Sequence, residues 1–173
     1  MRKVVGITLA ALMLLPALAF APPAGAVGGT VCAKETGSAR ITPGLSLEPH
    51  DQTFVVNESL SGCAGGGVKT GKARATLKYV AQTCLGLAKT GVKTAFGETI
   101  TWNAHGSSTI TGTVTTGPKI GQATISARVT AGLFVGLHVK HTLAFVVGTA
   151  AKCTQTAVVK ALTFKGVTAF SIS

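Results

Sequence analysis

The chain has 173 residues, and its sixteen Lys and Arg outnumber five Asp and Glu to give a formal net charge of +11. One ordinary domain fits that length, and so basic a surface is drawn to polyanions by a long-range attraction that salt weakens. Trp102 and Tyr79 are the only Trp and Tyr, a poor supply for stacking single-stranded nucleic acid, and five scattered acids offer little for paired-carboxylate catalysis.

At the N-terminus Arg2 and Lys3 precede an uncharged, mostly apolar run from Val4 to Leu15, and Ala24-Gly25-Ala26 is a small-residue cleavage site. Residues 1–26 are therefore expected to be an export signal, leaving 27–173 as a single secreted domain. Pro16, Pro22 and Pro23 interrupt a run already shorter than the ~20 apolar residues of a membrane span. Loss of Arg2 and Lys3 leaves fourteen basic residues against Glu35, Glu48, Asp51, Glu58 and Glu98.

Past the leader the dominant period is two, in short runs of Thr, Val, Ile and Ala punctuated by Gly, Pro and Asn. The first expected strands are Gly29–Lys34, Ser38–Thr42 and Gln52–Leu60. Gly66-Gly67-Val68-Lys69-Thr70-Gly71-Lys72 then has the spacing of a phosphate-binding P-loop. Ala73 stands where that motif needs a hydroxyl for Mg²⁺, and an alternating strand follows instead of a helix. In this strand, Gly71–Thr83, the side chains of Lys72, Arg74 and Lys78 share one face with Thr76, while Ala73, Ala75, Leu77 and Tyr79 share the other. Three cations in line form the candidate binding patch; the plainer alternative is a solvated face, or an edge strand kept from aggregating by its lysines.

Expected strands continue at Thr94–Asn103, Ser107–Thr116 and Gly121–Ala131. Alternation sends Ile100 and Trp102 to the core, and gives the next strand an outer face of Thr109, Thr111, Thr113 and Thr115. The last three are Val135–Val147, Lys152–Ala161 and Gly166–Ile172. Leu133 to Val147, which contains the first of these, is the one later stretch apolar enough to test as a membrane span, and His138, Lys140 and His141 interrupt it at its centre. An odd separation puts His138 and His141 on opposite faces of a strand, so they make no metal pair, and neither metal nor cofactor is expected. His141, on the face of Val139, Leu143 and Phe145, is expected to be a hydrogen-bonded, semi-buried histidine.

For hydrolytic chemistry the chain offers His105 near Ser107 and Ser108, and His50 beside Asp51. Neighbours on a strand or turn face apart, and the nucleophile turn G-x-S-x-G is missing. No catalytic role is expected.

About ten strands in one domain predict an all-β fold, either two packed antiparallel sheets in a sandwich or a barrel, since both limit exposed edges. Four cysteines, Cys32, Cys63, Cys84 and Cys153, all follow the leader. In an exported chain they are expected to pair, and three pairings are open. Cys32 with Cys63 and Cys84 with Cys153 are favoured: the first closes the N-terminal region onto the Gly-rich loop, the second ties the middle of the domain to its last third.

Ile41-Thr42-Pro43-Gly44-Leu45-Ser46-Leu47-Glu48-Pro49, Cys84-Leu85-Gly86, Ile100-Thr101-Trp102-Asn103 with Ser107-Ser108, and the late Cys153 together resemble small secreted β-proteins of actinobacteria that have no assigned activity. The resemblance spans most of the chain after the leader. It implies a signal peptide, two disulfides and a β-sandwich, and carries over no active-site residue.

The expected function is that of a secreted, non-catalytic binding or structural protein, held at the cell envelope by anionic polymers or a membrane surface through Lys72, Arg74 and Lys78. Sequence-specific nucleic-acid binding is disfavoured, because after the leader only Arg40, Arg74 and Arg128 carry the planar fork that reads bases. The alternative is a secreted protease inhibitor presenting the disulfide-braced loop Ser61–Thr70.

Overall fold

The computed structural model describes residues 28–103, 106–117, 119, 121–145 and 158–173, with backbone alone at 87 and 88. The elements in chain order are β1 (Thr30–Leu45), β2 (His50–Ala64), β3 (Thr70–Gln82), α1 (Cys84–Ala88), β4 (Lys93–Trp102), β5 (Gly106–Thr116), β6 (Gln122–Gly132), β7 (His138–Phe145), β8 (Val159–Gly166) and β9 (Phe170–Ile172). From β1 to β8 each strand pairs antiparallel with the next. β1 also pairs with β8, so the sheet closes on itself as an eight-stranded barrel.

The barrel replaces the sandwich. Two stacked sheets would leave free edges, whereas β1 has both of its edges occupied, by β2 on one side and β8 on the other. The short β9 takes the place of β8 between β1 and β7 at one rim, pairing Val31 with Ser171 and Val139 with Ile172.

Two expected strands, Gly29–Lys34 and Ser38–Thr42, are one. The polar Lys34-Glu35-Thr36-Gly37 reads as a break, yet it runs straight through β1 with Glu35 turned inward and buried. Gly37 is not a turn: a Cβ there would lie 2.2 Å from the Phe164 ring, so only glycine lets that ring lie against β1. Of the expected Lys152–Ala161 only the end is described, as the start of β8, and 152–157 lie outside the described residues. The expected Val135–Val147 starts later, at His138, because Phe134 (φ 65°) and Gly136 (φ 89°) make the turn before it.

Alternation fills the interior as the sequence implies, with Ile100, Trp102, Ile110 and Val129 at 3% exposure or less. At the rim where β4 ends, aromatic rings plug the barrel. Trp102 meets Phe134 edge-on at 5.7 Å between ring centroids and Phe170 at 6.5 Å. Its indole Nε1 donates to Ser108 Oγ at 2.9 Å, and that hydroxyl donates onward to the Leu133 carbonyl at 2.7 Å. A buried N–H and O–H are thus both satisfied.

Cys32 and Cys63 are disulfide-bonded across β1 and β2, as expected. Between them and the rest of the pair lies Gly62 at φ +63°, opposite Ala33 where no cross-strand partner is recorded. There the buried positions of β1 change parity, from the odd-numbered Glu35, Ala39 and Ile41 to Cys32 and Thr30. Cys84 is also disulfide-bonded; its expected partner, Cys153, lies outside the described residues.

Replacing both Cys32 and Cys63 with Ala should lower unfolding stability by about 3 to 4 kcal/mol, the loop-closure contribution of a crosslink spanning 31 residues. Urea denaturation of the oxidised wild type and the double variant measures it, and equal midpoints would show that barrel closure alone restrains this end of the chain.

Candidate functional site

Barrel closure sorts the charges. Lys72, Arg74, Thr76 and Lys78 all face solvent, while Ala73, Ala75 and Leu77 face the interior. Cross-strand register sets the first two cations inside two polar rows. One row runs Thr36, Ser59, Lys72, Thr101; the next runs Ser38, Asn57, Arg74, Thr99. These eight residues line a shallow groove across the outer wall. Lys165, opposite Thr36 on β8, extends the first row. Lys78 pairs with Thr53 and stands six residues along β3 from Lys72, about 20 Å at strand rise, outside the groove. The structure thus gathers two of the three expected patch residues with hydroxyls and an amide that the sequence did not associate with them.

No helix among the described residues is long and apolar enough to cross a membrane. The barrel wall itself presents Thr, Ser, Lys and Arg outward and apolar side chains inward, the reverse of the pattern of membrane-spanning barrels.

Other sequence candidates separate as their spacing implies. His138 is exposed and His141 is buried. The P-loop-like glycines lead into β3, with no helix N-terminus for a phosphate. In the Ser61–Thr70 segment, residues 61–64 belong to β2 and Val68 is turned inward at 2% exposure. Ser108 is engaged with Trp102 and Leu133, and Asp51 Oδ1 accepts from the Ala81 N–H at 3.0 Å. His50 lies 3.8 Å from Glu48 on the surface, and His105 lies outside the described residues.

What the sequence reading missed is inside the barrel. Three of the five acids, Glu35, Glu58 and Glu98, point inward from β1, β2 and β4 and are at most 8% exposed. His141 Nδ1 donates to Glu35 Oε2 at 2.8 Å, with both side chains at 2% exposure or less, and the Phe170 ring packs edge-on to the imidazole. Glu58 shares a hydrogen bond with Glu35. Burial first, then the charges of Glu98 and Glu35, hold the Glu58 carboxyl well above its ordinary 4.5. Burial, then the charge of Glu35, pushes Glu98 up to about 7. Glu58, kept protonated, is the donor to Glu35.

Glu58 and Glu98 also line a cavity of about 150 Å³ with Phe54, Leu77, Phe96 and Phe164. It reaches Cys84 and the β5–β6 connection at Gly121, at the rim opposite the Trp102 plug. Eight strands enclose an interior just wide enough for side chains or one small ligand. Among the described residues, the buried side-chain atoms lacking a hydrogen-bond partner are Glu35 Oε1, Glu58 Oε2 and Glu98 Oε1. By contrast buried Gln52 is fully engaged, accepting from Gly44 N at 3.1 Å and donating to Gly44 O at 2.8 Å. Among the described residues no three His, Cys, Asp or Glu side chains converge to hold a metal ion. The available signal was alternation: Glu58 shares parity with Phe54, Val56 and Leu60, and Glu98 with Phe96, Ile100 and Trp102.

No protein-family model, no curated protein and no solved structure matches the chain.

A carboxyl whose value is raised on folding keeps its proton in the native state after the unfolded chain has lost it, so stability falls as pH rises through that window. For Glu98 the window runs from 4.5 to about 7, a change of about 3 kcal/mol. Glu58 acts in the same direction. Urea unfolding from pH 4.5 to 8 should show this decline, and Glu98→Gln should flatten its share and raise stability at pH 8. An unchanged slope in the variant would remove Glu98 as its source.

Proposed function

We propose that this is an exported, non-catalytic binding protein that holds an anionic polymer of the cell envelope against the outer wall of β1–β4. The observation that carries the reading is the pair of in-register rows around Lys72 and Arg74, eight polar side chains none of which is an acid. Because Glu35, Glu58 and Glu98 are turned inside, the one outward acid on β1–β4 is Asp51, at the far end of β2 from Lys72 and Arg74. The hydroxyls and the Asn57 amide beside them supply donors and acceptors for a hydroxylated or phosphorylated chain, so attraction by charge is joined to contact by hydrogen bonds.

A polymer suits this wall better than a lipid surface. Interfacial binding draws much of its strength from buried apolar area, and the outward side chains of the groove are Thr, Ser, Asn, Lys and Arg, with the inward-turned Glu58 and Ala73 and with Gly37 completing its lining. Export is supported by the leader pattern of residues 1–26, and by disulfide bonding at Cys32, Cys63 and Cys84. The non-catalytic reading is supported by Ser108, the one serine beside a motif histidine that is buried, being committed to the Trp102 plug.

Retention of the purified domain on an anionic envelope-polymer fraction should fall as salt rises, with each engaged cation adding roughly one to the log–log slope. Lys72→Gln and Arg74→Gln should each lower the slope by about one, and Lys78→Gln, outside the groove, by less. Retention that ignores all three substitutions across the salt series would refute this assignment.

A further inference from the structure

We infer that the barrel interior is a binding site for a small organic cation: a protonated amine on an apolar body of about one ring, its ammonium held by Glu58 and Glu98 and its body lying against Phe54, Leu77 and Phe96.

Two independent observations meet here. One is the cavity of about 150 Å³, a volume that in an apolar protein interior accepts a benzene-sized molecule. The other is that Glu58 and Glu98, each 8% exposed and lining this cavity, both keep an unpartnered carboxyl oxygen. Apart from Glu35, whose Oε1 is likewise unpartnered, the fold has engaged its other buried polar side chains: Gln52 on Gly44, Ser108 between Trp102 and Leu133, Thr30 on the Ala64 carbonyl and His141 on Glu35. Two buried acids in the lining of an apolar cavity, each with a carboxyl oxygen that no donor reaches, form an acceptor set without a donor.

The sign of the ligand follows from what faces the site. Glu58 on β2, Tyr79 on β3 and Glu98 on β4 line the cavity, Glu35 on β1 is hydrogen-bonded to Glu58, and His141 on β7 is already committed to Glu35 at 2.8 Å. No Lys or Arg lines the cavity. An anion would meet two carboxyls and no Lys or Arg, with only the neutral donors Tyr79, Thr116 and Gln122 to oppose them, and a neutral hydrocarbon would leave the carboxyl oxygens bare. An ammonium offers up to three donors and replaces a proton. On binding, a protonated glutamic acid releases its proton to solvent, and the carboxylate formed pairs with the incoming ammonium, so the interior gains no net charge. Affinity must therefore rise with pH while the acids lose their protons, up to about 7 for Glu98.

Glu58 borders both this cavity and the outer groove, but its side chain is turned inward, while Lys72 and Arg74 point outward from the same strand that supplies Leu77. The two readings can fail separately.

The test uses the folded, oxidised domain with benzylamine, toluene and benzoate as probes, followed by calorimetry and ligand-observed NMR from pH 5 to 8. Expected are one benzylamine per chain, affinity rising roughly tenfold per pH unit up to about pH 7 with one proton released, and no benzoate binding. Glu58→Gln with Glu98→Gln should weaken benzylamine at least tenfold and abolish its pH dependence, while toluene, seeing only the apolar wall, binds both proteins alike. Circular dichroism of the variant, and its unchanged retention on the polymer fraction, show that the barrel has folded. Toluene binding the wild type as tightly as benzylamine at pH 7, benzylamine affinity indifferent to the two substitutions, or no probe entering at all would each overturn the assignment; the last would leave the carboxyl oxygens to enclosed water.

Discussion

A sheet that closes on itself makes alternation obligatory, and the rest of this structure follows from that constraint. Once β1 pairs with both β2 and β8, each strand must send every second side chain into a space that eight strands leave just wide enough to fill. The odd-numbered positions of β1 near its middle and the even-numbered positions of β2 and β4 carry Glu35, Glu58 and Glu98 inward whatever their own hydration prefers. Three carboxyls inside is the consequence, tolerated because Glu58 and Glu98 hold their protons more tightly than exposed acids and Glu35 is hydrogen-bonded to His141.

That sorting shapes both surfaces of the barrel. Inside, a linked set runs from the Phe170 ring to His141, to Glu35, and on to Glu58. It ties β9, β7, β1 and β2 through side chains, across strands already tied by backbone pairing. Outside, the removal of three acids leaves Glu48 and Asp51 exposed at the opposite rim from the Trp102 plug, so the wall between the rims is basic and hydroxylated. The electrostatic asymmetry of the chain is thus larger in the fold than in its composition.

The two ends of the barrel are not equivalent. At one, Trp102, Phe134 and Phe170 pack with their polar atoms satisfied, and Val68 of the Gly-rich loop is turned in. At the other, Cys84 and the β5–β6 connection border the cavity that Glu58 and Glu98 line. A plug at one end and a cavity at the other give the interior a floor and a direction, which an evenly packed core would lack.

Read alone, the sequence determined the class of structure and much of its surface. Period-two alternation placed Ile100 and Trp102 in the core, put Lys72, Arg74 and Lys78 on one outward face and split His138 from His141, because each of these is decided within a strand; of the three open cysteine pairings the sequence could only favour one, and the structure shows Cys32 with Cys63. Only the tertiary structure decided that the sheet closes into a barrel, since edge pairing between β1 and β8 joins segments more than a hundred residues apart and leaves no local trace. It alone decided that Lys34 to Gly37 is unbroken strand, because the inward acid and the space that Gly37 leaves for Phe164 become visible only with β8 in place. And it alone brought Glu35, Glu58, Glu98 and His141 together: on their own strands they are isolated polar residues at inward positions, and their convergence is a property of closure.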